Sequence, residues 1–194
     1  MIENTSLLDI EKSIKNYNPN VFTKIIDFEK LNKSVLFVYS RGASNKVQLF
    51  DDVNGLNEIG MIGYSRTDNT FISALEVKKH YQGNGVGRFL FEFALAHVDI
   101  LGVTSAHGEI MPTNDIKGVK LKGKGSHTAH KLKLVEIYKK LGCTIDDIAI
   151  ADDGYPSFTI TWKKGERFNN SNIQIQDLVA EVVEKQKIID SKIK

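Results

Sequence analysis

A glycine-rich segment placed between a strand pattern and a helix pattern constrains this sequence more than any other feature. It follows the β-rich run Phe71–Val77 and precedes apolar residues at helical spacing from Val86 to about Leu101. Glycines accept positive φ and keep side chains away from a bound group. Unpaired amides at a helix start, with the helix dipole, favour an anion. We therefore predict a pyrophosphate site in this loop, assisted by Arg88. Its residues are Gln82, Gly83, Asn84, Gly85, Val86 and Gly87.

Two better-known phosphate loops are excluded by spacing. The dinucleotide fingerprint needs glycine at its last position, and here that position is Arg88 or Leu90. A second glycine-rich stretch, residues 118–125, resembles a nucleotide-binding P-loop. It carries Gly125 where a magnesium-binding hydroxyl is required, and no apolar strand leads into it.

The remaining periodicities predict a mixed α/β (α+β) domain. Helical spacing over residues 6–30, interrupted at Pro19, predicts two short helices. Later helices are expected at 86–101, 129–141 and 173–189, the last after a polar linker. Strand patterns occur at residues 35–39, 47–50, 59–64, 71–77, 103–111 and 158–162.

Composition limits the function classes. The chain has 194 residues with 41% hydrophobic and 26% charged residues, which suits one globular domain. A net charge of +2 does not by itself demand a nucleic acid or a membrane surface. The single cysteine, Cys143, excludes an intrachain disulfide, and we see neither a leader pattern nor a spanning segment. The expectation is a cytoplasmic protein without a membrane partner.

The glycine loop and a later helix together resemble the GNAT superfamily of N-acyltransferases. The helix motif is the run LVEIYKKLGC at residues 134–143, which is similar to that superfamily's late helix. The resemblance covers residues 58–162 and implies a mixed, mostly antiparallel twisted sheet flanked by helices. We expect this domain to span 1–165, with 166–194 as a linker and an added C-terminal helix.

The resemblance also implies a reaction and a cofactor. An acetyl group would pass from acetyl-CoA to a primary amine by direct attack, without a metal. Leu75, Glu76 and Val77 would hold the pantetheine arm, and the Val77 amide would stabilise the developing oxyanion. Tyr138 would protonate the leaving thiolate. The alternative is that Tyr138 is a core aromatic.

The base is predicted from a second strand. Glu109 lies five residues before Asn114, a spacing that in this superfamily joins a base to an asparagine contacting CoA. Glu76 and His107 are the alternative bases, and either glutamate could equally be a solvated strand residue.

The sequence departs from the superfamily pattern in two places. Residues 115–127 form a Lys- and Gly-rich insertion between Asn114 and the tyrosine helix, and Cys143 replaces an aromatic residue. The insertion could be a docking arm for a substrate or phosphate, or a solvated loop. His127 and His130 lack further ligands nearby, so we predict no metal site there.

The acceptor and the oligomeric state stay open at this point. The acceptor could be a small amine, a protein amine or aminoacyl-tRNA, and a catalytically silent CoA-binding module is an alternative function. The C-terminal stripe of Ile175, Leu178, Val182 and Ile189 could pack on its own domain or form a homodimer seam.

Overall fold

The fold is a single eight-stranded sheet with helices on both faces. The computed structural model describes residues 6–51, 57–65, 67, 70–110, 133–150, 156–163 and 173–192. The strands are β1 (Phe22–Phe28), β2 (Lys33–Arg41), β3 (Asn45–Asp51), β4 (Asn57–Tyr64), β5 (Thr70–Val77), β6 (Ser105–Ile110), β7 (Thr144–Ile150) and β8 (Pro156–Lys163). The helices are α1 (Leu7–Tyr17), α2 (Val86–Ile100), α3 (helical over 133–140) and α4 (Ile173–Lys192).

The strand order across the sheet is β1-β2-β3-β4-β5-β6-β8-β7. Every neighbouring pair is antiparallel except β5 and β6, which are parallel and joined through α2. A parallel pair needs a crossover connection, and α2 provides it. The mixed α/β, mostly antiparallel sheet and the added C-terminal helix predicted from the sequence are thus confirmed.

Successive side chains of β2 belong to two apolar clusters on opposite faces of the sheet. Leu36 and Val38 join Leu7 and Val21 in a small cluster under α1. Phe37 and Tyr39 face the other way, into the main core with α2 and α4. Because successive side chains of a strand point to opposite faces, α1 and α2 lie on opposite sides of the sheet.

Helix α2 is the centre of the main core. Eleven of its residues are buried, including the polar Glu92 and His97. A helix that is apolar nearly all round must be enclosed, and here β4, β5 and α4 pack against it. At Gly60 of β4 an added Cβ would lie 3.0 Å from Val86 Cγ1, so the glycine permits the close approach of α2.

The C-terminal helix packs on its own domain. Ile175, Leu178 and Val182 are buried in the main core, together with Val179. The Gln186 side chain donates a hydrogen bond to the Tyr39 hydroxyl, which in turn donates to Asn45 at 2.7 Å. Three of the four residues of the predicted seam are therefore occupied by intrachain contacts, while Ile189 is half-buried.

Two sequence predictions need correction. The segment expected as a second short helix is strand β1, which pairs along its whole length with β2. Its apolar residues Phe22, Ile25 and Ile26 also match a helical repeat, and seven residues are too few to separate the two periods. Strand β7 was not predicted, because Asp146 and Asp147 interrupt its apolar pattern.

Candidate functional site

The predicted phosphate loop joins β5 to α2 and ends in a helix start without a side-chain cap. Gly83 and Gly85 have φ of +86° and +83°, a region that other residues rarely adopt. Gly85 is the N-cap of α2, and no side chain there accepts a hydrogen bond from the first turn. Backbone donors and the positive end of the helix dipole are thus available at this point. This arrangement fits a pyrophosphate.

The start of α2 lies directly against the end of β5. A Cβ added at Gly87 would lie 3.3 Å from Val77 Cγ2, which is tight packing. The Gln82 side chain donates a hydrogen bond of 3.0 Å to the Val77 carbonyl oxygen. Gln82 therefore holds the loop against the strand, a structural role that the sequence did not indicate.

The backbone of β5 presents an edge to the side of β6. The Lys78 amide donates to the Ile59 carbonyl at 2.9 Å, so Val77 and Gly60 are a non-hydrogen-bonded pair. The peptide groups of Leu75 and Val77 consequently point away from β4. Among the described residues, β5 pairs with β6 at two positions alone, Thr70 with Ala106 and Phe71 with His107. Gly108 of β6 still approaches Ile72, since an added Cβ there would lie 3.1 Å from the Ile72 carbonyl oxygen. Among the described residues, the gap between the two parallel strands therefore lies beyond Ile72.

Glu76 has the opposite orientation from its two neighbours. It pairs with Met61 of β4 in the alternate register, so its peptide groups are directed to β4. Its side chain is exposed. Of the three predicted β5 residues, Leu75 and Val77 thus offer backbone groups to the gap and Glu76 does not.

Arg88 is paired within its own helix. Its guanidinium lies 2.5 Å from a carboxylate oxygen of Glu92 one turn later, while the side chain keeps 64% exposure. Glu92 is largely buried, and its carboxylate is ion-paired through this contact. Arg88 would have to divide its donors between Glu92 and a bound phosphate.

Tyr138 is enclosed on the α2 face of the sheet. It is 5% exposed, and its ring packs against Phe91 of α2 and Phe158 of β8 at centroid distances of 5.8 and 6.1 Å. Burial, with a smaller contribution from Cys143, raises the pKa of the Tyr138 phenol well above its ordinary value. A phenol is protonated at neutral pH at its ordinary pKa as well, so the Tyr138 hydroxyl can donate a hydrogen bond.

The predicted base strand is β6. The Glu109 backbone pairs with Thr159 of β8, two residues beyond the point where β6 leaves β5. The ring of His107, the alternative base, lies 5.2 Å from the ring of Phe71, which is 38% exposed. The side chain of Glu109, Asn114 and the whole 115–127 insertion lie outside the described residues.

The buried carboxylate of Asp51, which no sequence pattern indicated, holds Tyr81, the residue just before the phosphate loop. Asp51, at the end of β3, is fully buried and accepts hydrogen bonds from Lys33 at 2.6 Å and from the Tyr81 hydroxyl. Burial alone would lower the pKa of Lys33, but Asp51 and Tyr81 together raise it. Burial, then Asp51, raises the pKa of Tyr81. No local pattern marks Asp51, because its partners come from two other segments.

The comparisons with known proteins agree with this geometry. Residues 33–116 match the model of the acetyltransferase (GNAT) family. The match includes β5, the glycine loop and α2, and confirms the family resemblance there. It covers less than half of the chain and ends before Tyr138. No match was found among curated proteins.

Solved structures support the fold. A cAMP-binding acyltransferase from Mycobacterium smegmatis, a point mutant, aligns with a TM-score of 0.53 and 11% identity over 91% of this chain. The present chain spans 60% of that protein's length. Ard1 from Thermoplasma volcanium aligns at 21% identity with a TM-score of 0.43, over 60% of this chain and 69% of that chain. The PaiA N-acetyltransferase from Thermoplasma acidophilum, in complex with coenzyme A, gives 14% identity, a TM-score of 0.41, and coverages of 80% and 69%.

The described residues contain neither a membrane-spanning helix nor a cluster of metal ligands. Over this part of the chain, no helix is long and apolar enough to cross a membrane. Nor do three or more His, Cys, Asp or Glu side chains converge there as metal ligands. His127 and His130 lie outside the described residues.

Proposed function

We propose that this protein is an N-acetyltransferase that moves an acetyl group from acetyl-CoA to a primary amine. The observation that carries the proposal is the β5 edge beside the uncapped start of α2, within the segment that matches the acetyltransferase family. A pyrophosphate on the loop and a pantetheine arm along Leu75 and Val77 would use adjacent backbone groups. The two binding surfaces are continuous.

Three residues of the chain would take part in the acyl transfer. Acetyl-CoA supplies an acyl group activated as a thioester. The Val77 amide, directed into the gap, would donate to the carbonyl oxygen as negative charge develops on it. Glu109 would take the proton from the attacking amine, directly or through water. Tyr138, whose phenol is neutral at physiological pH, would donate to the departing sulfur.

The cofactor half is tested by calorimetric titration with acetyl-CoA and with acetyl-pantetheine, which lacks the pyrophosphate. We expect micromolar binding of acetyl-CoA and much weaker binding of the shorter thioester. The absence of heat with acetyl-CoA at high micromolar concentration would refute the proposal.

The acceptor half is tested by release of free thiol in the presence of amine panels. Polyamines, aminoglycosides, amino acids, peptides and charged tRNA cover the acceptor classes. We expect thiol release to depend on one class of primary amine. Binding of acetyl-CoA without release for any class would favour a silent CoA-binding module instead.

A further inference from the structure

The turn between β1 and β2 reaches the phosphate loop from a distant part of the sequence. Lys30 lies in this turn, and its side chain extends over Gly85, the N-cap of α2. A Cβ added at Gly85 would lie 3.0 Å from Lys30 Cδ and 3.5 Å from its Nζ. Glycine at position 85 thus leaves room for the lysine stem, and the ammonium is placed beside the uncapped amides.

Two contacts fix this turn on either side of Lys30. On one side, the buried ring of Phe28 packs edge-on against Phe89 in the first turn of α2, at a centroid distance of 5.4 Å. On the other side, Lys33 binds Asp51 and lies 5.2 Å from the centre of the Tyr81 ring. Tyr81 immediately precedes the loop. The position of Lys30 therefore follows from packing on both flanks.

Lys30 is also a cation for which the described residues provide no counterion. Within the described part of the chain it makes no ion pair, whereas the nearby Arg88 is bound to Glu92 and Lys33 to Asp51. Its side chain is exposed. A charged ammonium beside unfilled amide donors favours an anion, since both would bind the same negative group.

We propose that Lys30 is a ligand of the cofactor's pyrophosphate and completes the phosphate site from the N-terminal hairpin. The inference rests on the proposed function, because it assigns a partner to a CoA site. It differs from the loop contacts in kind: the loop contributes backbone donors, and Lys30 contributes a full charge. The side chain adds affinity for the cofactor and takes no part in the acyl transfer.

The test is the affinity of the full chain for CoA and for 3′-dephospho-CoA, measured by titration calorimetry. Lys30→Ala and Lys30→Met should each weaken both ligands about tenfold, the effect of one lost charge-assisted contact. Lys30→Arg should stay within about twofold of the parent. Lys12→Ala, which removes an exposed lysine from α1 on the opposite face, is the matched control and should change neither affinity.

Each alternative gives a different result. Unchanged affinity in Lys30→Ala, with the parent protein binding CoA, overturns this inference and leaves the proposed function standing. Parent-like binding by Lys30→Met would show that the stem, not the charge, matters, and also overturns it. A loss confined to CoA, absent with dephospho-CoA, would assign Lys30 to the 3′-phosphate instead. A parent protein that binds neither ligand refutes the proposed function itself.

Discussion

The two parallel strands of the sheet contribute to the candidate site in different ways. Strand β5 offers peptide groups: Leu75 and Val77 point into the gap because the register with β4 directs them there. The proposed base, Glu109, belongs to β6, two residues after His107, where the described pairing with β5 ends. Backbone donors serve almost any sequence, whereas proton transfer needs a particular side chain. We infer that β5 supplies the backbone groups for the cofactor and the oxyanion, and that β6 supplies the base.

The largest expected effect falls on the β6 side. Glu109→Gln keeps the shape of the residue but removes its basicity, so kcat should fall by about a hundredfold. The affinity for CoA should not change. Steady-state rates and titration calorimetry on the same preparation measure both quantities. Loss of CoA affinity in this variant would contradict the division between the two strands.

Tyr138→Phe should lower kcat by about thirtyfold, a moderate effect for loss of a general acid. The ring contacts with Phe91 and Phe158 are retained, so CoA affinity and thermal stability should be nearly unchanged. Tyr64→Phe is the matched control, since it removes a buried hydroxyl that bonds His97 at 2.7 Å. The control should lose about 1 kcal/mol of stability and keep its kcat. Full activity in Tyr138→Phe would identify Tyr138 as a core aromatic.

On the β5 side, Gly85→Ala should weaken CoA binding about tenfold while leaving kcat at saturating cofactor close to the parent value. The substitution strains a residue at φ +83° and displaces the loop amides. Gly102→Ala is a close control: Gly102 has the same φ, and its added Cβ meets nothing within 4 Å. Both variants should lose about 1 kcal/mol of stability, measured by thermal unfolding. Equal CoA affinities for the two variants would count against the loop as the cofactor site.

The smallest expected effect is that of Glu76→Gln. The Glu76 side chain is exposed and its peptide groups are directed to β4, so kcat and CoA affinity should each change less than about twofold. Steady-state kinetics across a range of pH provides the check. A large fall in kcat would indicate that the base is Glu76 of β5 rather than Glu109 of β6.

Much of this architecture was readable from local patterns. Helix α2, strands β4 to β6, strand β8 and the terminal helix α4 follow from periodicity, and the glycine loop from its spacing. The prediction of a helix at strand β1 was wrong, because its apolar residues Phe22, Ile25 and Ile26 also match a helical repeat and the segment is too short to separate the two periods. Strand β7 was missed because its alternation is broken by two aspartates. Both strands lie on an edge of the sheet, where burial on two faces does not impose a continuous apolar run.

The sequence by itself determined the glycine loop, its place between a strand and a helix, and a family resemblance that the match at residues 33–116 confirms. Those features depend on neighbours in the chain. Tertiary structure alone decided which peptide groups of β5 point away from β4. It also brought Asp51 and Lys30 to the loop region from two separate segments. Such contacts depend on strand register and helix packing between residues far apart in sequence, so no local pattern encodes them.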